Sequence, residues 1–179
     1  MNILTIDFET YYARDFSLTK VTTEEYVRDD RFEVIGVAVK ENDGAAIWYS
    51  GSMDFISTCL AKYDWTNSFV LAHNAMFDAA ILTWKFGIKP MAWFDTLCMA
   101  RATDGLEVGN SLAKLVERYG LGAKGTEVLD ALGKRREDFS SVDLAAYGRY
   151  CVNDVELTYK LFGRSEEHTS ELQSRLHLV

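Results

Sequence analysis

The sequence predicts a mixed α/β fold: a β-sheet whose early strands pair antiparallel and whose later strands alternate with flanking helices. Three observations lead there. β-rich runs near the N-terminus are separated by a hairpin signal, Asn42-Asp43-Gly44. Further along, short apolar runs alternate with stretches of helical spacing. Finally, 179 residues with 48% hydrophobic content and a single proline suit one domain with a sizeable core.

The elements follow in order. Residues 2–7, Asn-Ile-Leu-Thr-Ile-Asp, form a strand ending in an acidic, polar run, so it carries its carboxylates to the edge of a sheet. Residues 33–40 and 45–49 are the next two strands, 53–63 a helix, and 69–73 a buried strand. The run from His73 to Asp78 breaks that strand before a helix over 75–86, which carries Phe77, Ile81, Leu82 and Phe86 at helical spacing. A short strand at 91–94 precedes Asp95, a cap for a helix over 96–102. Helices at 111–119, 126–133 and 142–162 complete the chain, the last interrupted only by Gly148.

Four carboxylates and a tyrosine carry the chemistry. Asp7 and Glu9 are two apart, so on a strand both point to one face. Asp78 sits near the start of a helix packed beside a buried strand, while Tyr150 and Asp154, four apart, share a helix face. Hard divalent cations prefer oxygen ligands, and two of them can clamp both sides of a phosphodiester. Taken singly, each residue has a plainer reading. Asp-x-Glu suits an ordinary acidic turn, Asp78 a first-turn acid favoured by the helix dipole, Tyr150 core packing, and Asp154 a solvated helix face. His73 reads as a structural histidine, or one that supports a ligand from behind, rather than as a metal ligand itself, because no other histidine is placed near it.

Together, the order and settings of these residues resemble the three motifs of the DnaQ-like, or DEDD, family of 3′→5′ exonucleases. Those motifs are Asp-x-Glu (Asp7, Glu9), Asn-x-x-x-Asp (Asn74, Asp78) and Tyr-x-x-x-Asp (Tyr150, Asp154). The tyrosine four residues before Asp154 marks the tyrosine subtype. Residues 1–163 further resemble the proofreading exonuclease domain of bacteriophage-type family A DNA polymerases. Thr-Ile-Asp-Phe-Glu-Thr-Tyr, Phe94-Asp95-Thr96-Leu97, the run from Tyr119 to Gly125, and Tyr150-Cys151-Val152-Asn153-Asp154-Val155 carry that likeness.

The resemblance implies a ribonuclease-H-like fold and hydrolysis of DNA from its 3′ end to nucleoside monophosphates with two Mg²⁺ or Mn²⁺ ions. It implies that Asp7 bridges the ions, that Glu9 and Asp154 complete one site, and that Asp78 holds the other largely through water. Tyr150 would orient the attacking water. Phe8, Thr10, Asn74 and Phe77, within or beside the motifs, are candidates to touch substrate. The implied partners are a single-stranded DNA 3′ end and a polymerase domain in the same natural chain; a monomer is expected. Two alternatives stand beside this reading: an RNA-processing exonuclease of the same subtype, and a catalytically silent domain that binds DNA ends.

Residues 164–179 are expected to be foreign to the domain. Arg-Ser-Glu-Glu-His-Thr-Ser-Glu-Leu-Gln-Ser reads as a translated sequencing adapter, which would truncate a longer gene near Gly163. Setting that tail aside removes His168 and His177 and leaves His73 alone, which argues for carboxylate-held ions over histidine-bound zinc. The formal charge of −8 excludes a broad basic surface for duplex DNA, although a single-stranded end needs only stacking platforms and a few cations. Tyr11, Tyr12, Phe77 and Trp84 are stacking candidates, and Lys124, Lys134, Arg135 and Arg136 backbone-contact candidates. The odd count of 3 cysteines points to free thiols in a reducing cytoplasm, here that of a phage-infected bacterium. No membrane span or signal peptide is read.

Overall fold

The computed structural model describes residues 1–107, 109–125 and 131–176, with side chains through Arg164. Its centre is β1 (Asn2–Thr10), which pairs antiparallel with β2 (Val34–Glu41) and parallel with β4 (Ser68–Ala72). β3 (Ile47–Tyr49) joins β2 antiparallel and β5 (Ala92–Asp95) joins β4 parallel, giving a five-stranded sheet of order β3-β2-β1-β4-β5. The mixed α/β sheet expected from the sequence is therefore present, antiparallel first and parallel afterwards.

Alternation along β1 explains the layers. Leu4, Ile6 and Phe8 point to one face, where they are buried with Tyr26 and Val27 of α1 (Thr23–Arg28), Ile56 and Leu60 of α2 (Met53–Leu60), and Ile81 and Leu82 of α3 (Ala75–Phe86). Ile3 belongs to the opposite face, packing with Leu71 of β4 and Phe162 of the long helix α6 (Ser141–Leu176). Ile35 and Ala38 of β2 meet α6 through Tyr147, Tyr150, Cys151 and Val155. The alternation places Asp7 and Glu9 on this α6 side, at positions that would otherwise be apolar. Two short helices, α4 (Thr96–Asp104) and α5 (Leu112–Arg118), close the α6 layer around Leu115, Leu157 and Leu161.

The elements depart from expectation at identifiable places. The first strand does not stop at Asp7. It runs through Thr10 at the centre of the sheet, because β2 stays paired with it past Asp7↔Ala38, Phe8↔Val37 and Glu9↔Gly36. α1 was not expected; Thr22 and Glu25 close a reciprocal capping box that starts it. α6 continues past Phe162 to Leu176 as one helix. Gly148, which costs a helix about 1 kcal/mol relative to alanine, has a packing reason: a Cβ there would lie 2.6 Å from the Trp48 indole. The expected helix over 126–133 falls mostly outside the described residues. Among the described residues, no helix is long and apolar enough to cross a membrane.

Candidate active site

The site forms where β4 leaves β1. Their pairing ends at Thr5↔Leu71, so beyond that point β1 has a strand neighbour only on the β2 side. Such a crevice at the carboxyl ends of strands is where open α/β sheets place ligands. α3 enters it through a turn at Asn74, whose φ of 66° is left-handed, a region asparagine tolerates better than most residues. The Asn74 N–H donates to Asp95 Oδ1 at 2.9 Å, and the same oxygen accepts from the Leu97 N–H at 2.9 Å, so Asp95 caps α4 and ties the α3 entry to it. Buried Asp78, on the first turn of α3, then accepts the Phe8 N–H at 3.0 Å, taking up a donor that β4 no longer reaches.

From the other side α6 delivers Tyr147, Tyr150, Cys151 and Asp154, which helical spacing sets on one face. The Tyr147 hydroxyl donates to Glu9 Oε2 at 2.5 Å. The Cys151 thiol lies 3.2 Å from the Asp7 carbonyl and 3.5 Å from its Oδ2. Tyr150 stands beside Asp154 on the same helix face, close enough for the carboxylate charge to act on the phenol. Lys124 reaches in from the loop after α5: its Nζ sits 2.6 Å from Asp154 Oδ2 and 5.2 Å from the centre of the Tyr150 ring. The sequence-predicted acids Asp7, Glu9, Asp78 and Asp154, together with Tyr150, are thus gathered at one place.

The acids feel one another. Burial, and after it the Asp154 charge, push Asp7 up to about 7 against the opposing pull of Lys124 and Cys151. Burial first, and then Asp7, hold Glu9 and Asp78 well above the ordinary carboxylate range. Burial and Asp154 raise the Tyr150 phenol, which stays protonated at neutral pH. Several desolvated acids in one crevice are a poor arrangement for stability and a good one for cations. Donor atoms of Asp7, Glu9 and Cys151 lie within 4.8 Å of one another, and the oxygen-rich donor set fits a divalent ion.

A cleft of about 320 Å³ opens beside the acids, lined by Glu9, Thr10, Tyr12, Leu18, Phe77 and Tyr147, with Phe8 at its wall. Phe77 is half-buried there. Phe8 stacks on Phe86 with ring centroids 5.8 Å apart, and the Thr10 hydroxyl pairs with the Tyr26 hydroxyl at 2.9 Å, so both are largely committed within the protein. The Asn74 side chain is exposed and is not among the residues lining the cleft. The His73 Nδ1 meets Thr96 Oγ1 at 2.9 Å, and burial depresses the imidazole to about 4.

Of the other stacking candidates, Tyr12 lines the cleft. Tyr11 lies under the Arg135 guanidinium at 4.3 Å, and Trp84 lines a separate groove between α1 and α3. Of the basic residues expected on substrate, Arg135 bonds Glu33 through its guanidinium at 2.7 Å and Lys134 lies over Phe139 at 5.5 Å, while Arg136 meets Glu33 through its backbone N–H at 3.0 Å. Two residues at the centre are not among the sequence-predicted site residues, Tyr147 and Cys151, both of which fall at apolar spacing on α6. Their spacing from Asp154 was the available signal.

Comparison with known proteins identifies the family of the chain. A family described as 3′–5′ exonuclease matches residues 22–167. The chain belongs to this exonuclease family. The matched span begins after Asp7 and Glu9, so the first motif of this 3′–5′ exonuclease rests on its position in the crevice. No protein of curated function matches the sequence.

Among solved structures, Brucella melitensis NrnC is similar with a TM-score of 0.67 at 18% identity, over 94% of this chain and 74% of its own. The catalytic core of RRP6 from Trypanosoma brucei is similar with a TM-score of 0.66 at 13% identity, over 98% and 43%. Trypanosoma brucei RNase D, in complex with RNA U12, gives 0.65 at 12% identity, over 89% and 53%. These likenesses establish the ribonuclease-H-like exonuclease fold.

Proposed function

We propose that this exonuclease trims a single-stranded nucleic acid from its 3′ end, releasing nucleoside monophosphates, with two divalent ions held by Asp7, Glu9, Asp78 and Asp154. The observation that carries the reading is the convergence of acids from β1, α3 and α6 at the open end of β4, each desolvated and charged against its neighbours. In this reading Asp7, Glu9 and Asp154 would hold one ion, with Asp7 and Asp78 available to a second. Divalent metal is the cofactor class of the family, and NrnC has a structure with bound Mg²⁺. When bound, such ions supply hydroxide at neutral pH and neutralise charge on the leaving 3′ oxygen.

The residues of the chain do the rest. Tyr150, a neutral phenol beside Asp154, holds the attacking water by hydrogen bonding and does not take its proton. The cleft walled by Thr10, Leu18 and Phe77 receives the terminal nucleoside, with Phe77 offering a ring face. At about 320 Å³ it suits one nucleotide better than a duplex end.

Two substrate readings remain distinct. RNA is the better supported, because NrnC is seen bound to pGG and RNase D in complex with RNA U12. Proofreading of DNA beside a polymerase domain in a phage protein, the sequence-based expectation, rests on the phrase-level likeness and on nothing in the similar structures. Competition between RNA and DNA 3′ ends of identical sequence in one Mg²⁺ reaction separates them. Preferential loss of the RNA supports the RNA reading, and preferential loss of the DNA restores proofreading. Residues 164–179 are proposed to be adapter-derived, and those through Leu176 to extend α6 through helix-compatible composition alone.

A further inference from the structure

Glu9 is buried, carries a flexible side chain and sits among like charges, so something must hold its carboxylate in place. The nearest candidate is Tyr147, one helical turn before Tyr150 and two before Asp154. Its hydroxyl meets Glu9 Oε2 at 2.5 Å, a contact that spans 138 residues of sequence and joins α6 to β1. Tyr147 itself has little freedom. Only 2% of its surface is exposed, and its ring is stacked between Phe139, at 5.4 Å and 7°, and Tyr150, at 6.1 Å and 17°. One oxygen of Glu9 is therefore spoken for by a rigid donor, which directs the other toward the cluster. The Tyr150 ring rests on the same stack, so one aromatic column supports both an acid on β1 and the phenol beside Asp154.

We propose that Tyr147 is a positioning residue for the metal site: its hydroxyl orients the Glu9 carboxylate for a divalent ion, and its ring braces Tyr150. The proposal rests on the two-metal reading of the carboxylates given above. Hydrogen-bond partners behind a metal ligand commonly contribute about 10- to 100-fold in metal affinity. The Tyr147 hydroxyl is expected to fall within that range, acting on ion binding and not on nucleic-acid binding.

Tyr147→Phe keeps the ring and removes the hydroxyl. The measurement is Mn²⁺ binding without nucleic acid, followed by electron paramagnetic resonance of the free ion, for wild type, Tyr147→Phe, Glu9→Gln, the double variant and Asp7→Ala. Thermal melting in EDTA accompanies each. Tyr147→Phe should weaken Mn²⁺ about tenfold, leave KM for a short oligonucleotide unchanged at saturating metal, and recover most of kcat as Mn²⁺ is raised. On the Glu9→Gln background it should add nothing further. Wild-type Mn²⁺ affinity in Tyr147→Phe, or a full additional loss in the double variant, overturns the proposal, and a lowered melting temperature with unchanged affinity assigns Tyr147 to packing alone. Unchanged Mn²⁺ binding in Asp7→Ala instead overturns the metal reading itself.

Discussion

Replacing Asp7 with asparagine should stabilise the metal-free protein at neutral and higher pH, even as it removes activity. In the folded state the Asp7 carboxyl is held at about 7, against 3.8 for an unperturbed aspartate. The folded protein then keeps a proton that the unfolded chain gives up, so raising the pH from about 4 to about 7 favours unfolding. Above pH 7 the penalty is fully present; below about pH 4 it vanishes, since both states are protonated. A gap of about three pH units corresponds to about 4 kcal/mol at 1.36 kcal/mol per unit. Because Asp154 and Glu9 share the repulsion, about 2–4 kcal/mol is the expected gain for Asp7→Asn at pH 8 in EDTA. Urea denaturation at pH 8 and at pH 4.5 reads it directly. The gain should shrink to a fraction at the lower pH, and Mg²⁺ should stabilise wild type more than the variant. Equal stability of the two proteins at pH 8, or an equal gain at both values, would refute the electrostatic reasoning.

Other expectations concern single groups. Tyr150→Phe should lower kcat by about a hundredfold through lost positioning of the water, with Mn²⁺ and oligonucleotide affinity nearly unchanged, as single-turnover kinetics and binding titrations would register. Asp95→Ala removes the α4 cap and the tie to Asn74, and should cost about 1–2 kcal/mol in urea denaturation. Cys98 is exposed whereas Cys59 and Cys151 are buried. One thiol per chain should therefore react quickly with a chromogenic disulfide, and the reaction should need higher pH than usual, because Asp95 raises the Cys98 thiol.

Much of this molecule was legible because its pattern is strong. The helix over Ala75–Phe86 stands where Ile81 and Leu82 fall at core spacing, and the two-residue offset of Asp7 and Glu9 put both on one face of β1. The end of β1 was misjudged because acids usually mark a strand's exit. Here both faces of the strand are covered, and a central position keeps it paired through Thr10. α1 was missed since Thr23–Arg28 is too short for periodicity to register, although the Thr22 and Glu25 capping box was readable. Tyr147 escaped notice for a different reason. An aromatic on a helix reads as core, and only the fold brings its hydroxyl to Glu9 from 138 residues away. Lys124 was read as a phosphate contact, yet it lies against Asp154, a pairing that no local pattern encodes.

The most direct test is a denaturing gel of a 5′-labelled single-stranded oligonucleotide, as RNA and as DNA, incubated with wild type or Asp7→Ala in Mg²⁺ or in EDTA. The account predicts a ladder shortening from the 3′ end that needs both Mg²⁺ and Asp7. Cleavage at internal positions, cleavage that survives EDTA, or a ladder retained by Asp7→Ala would contradict it.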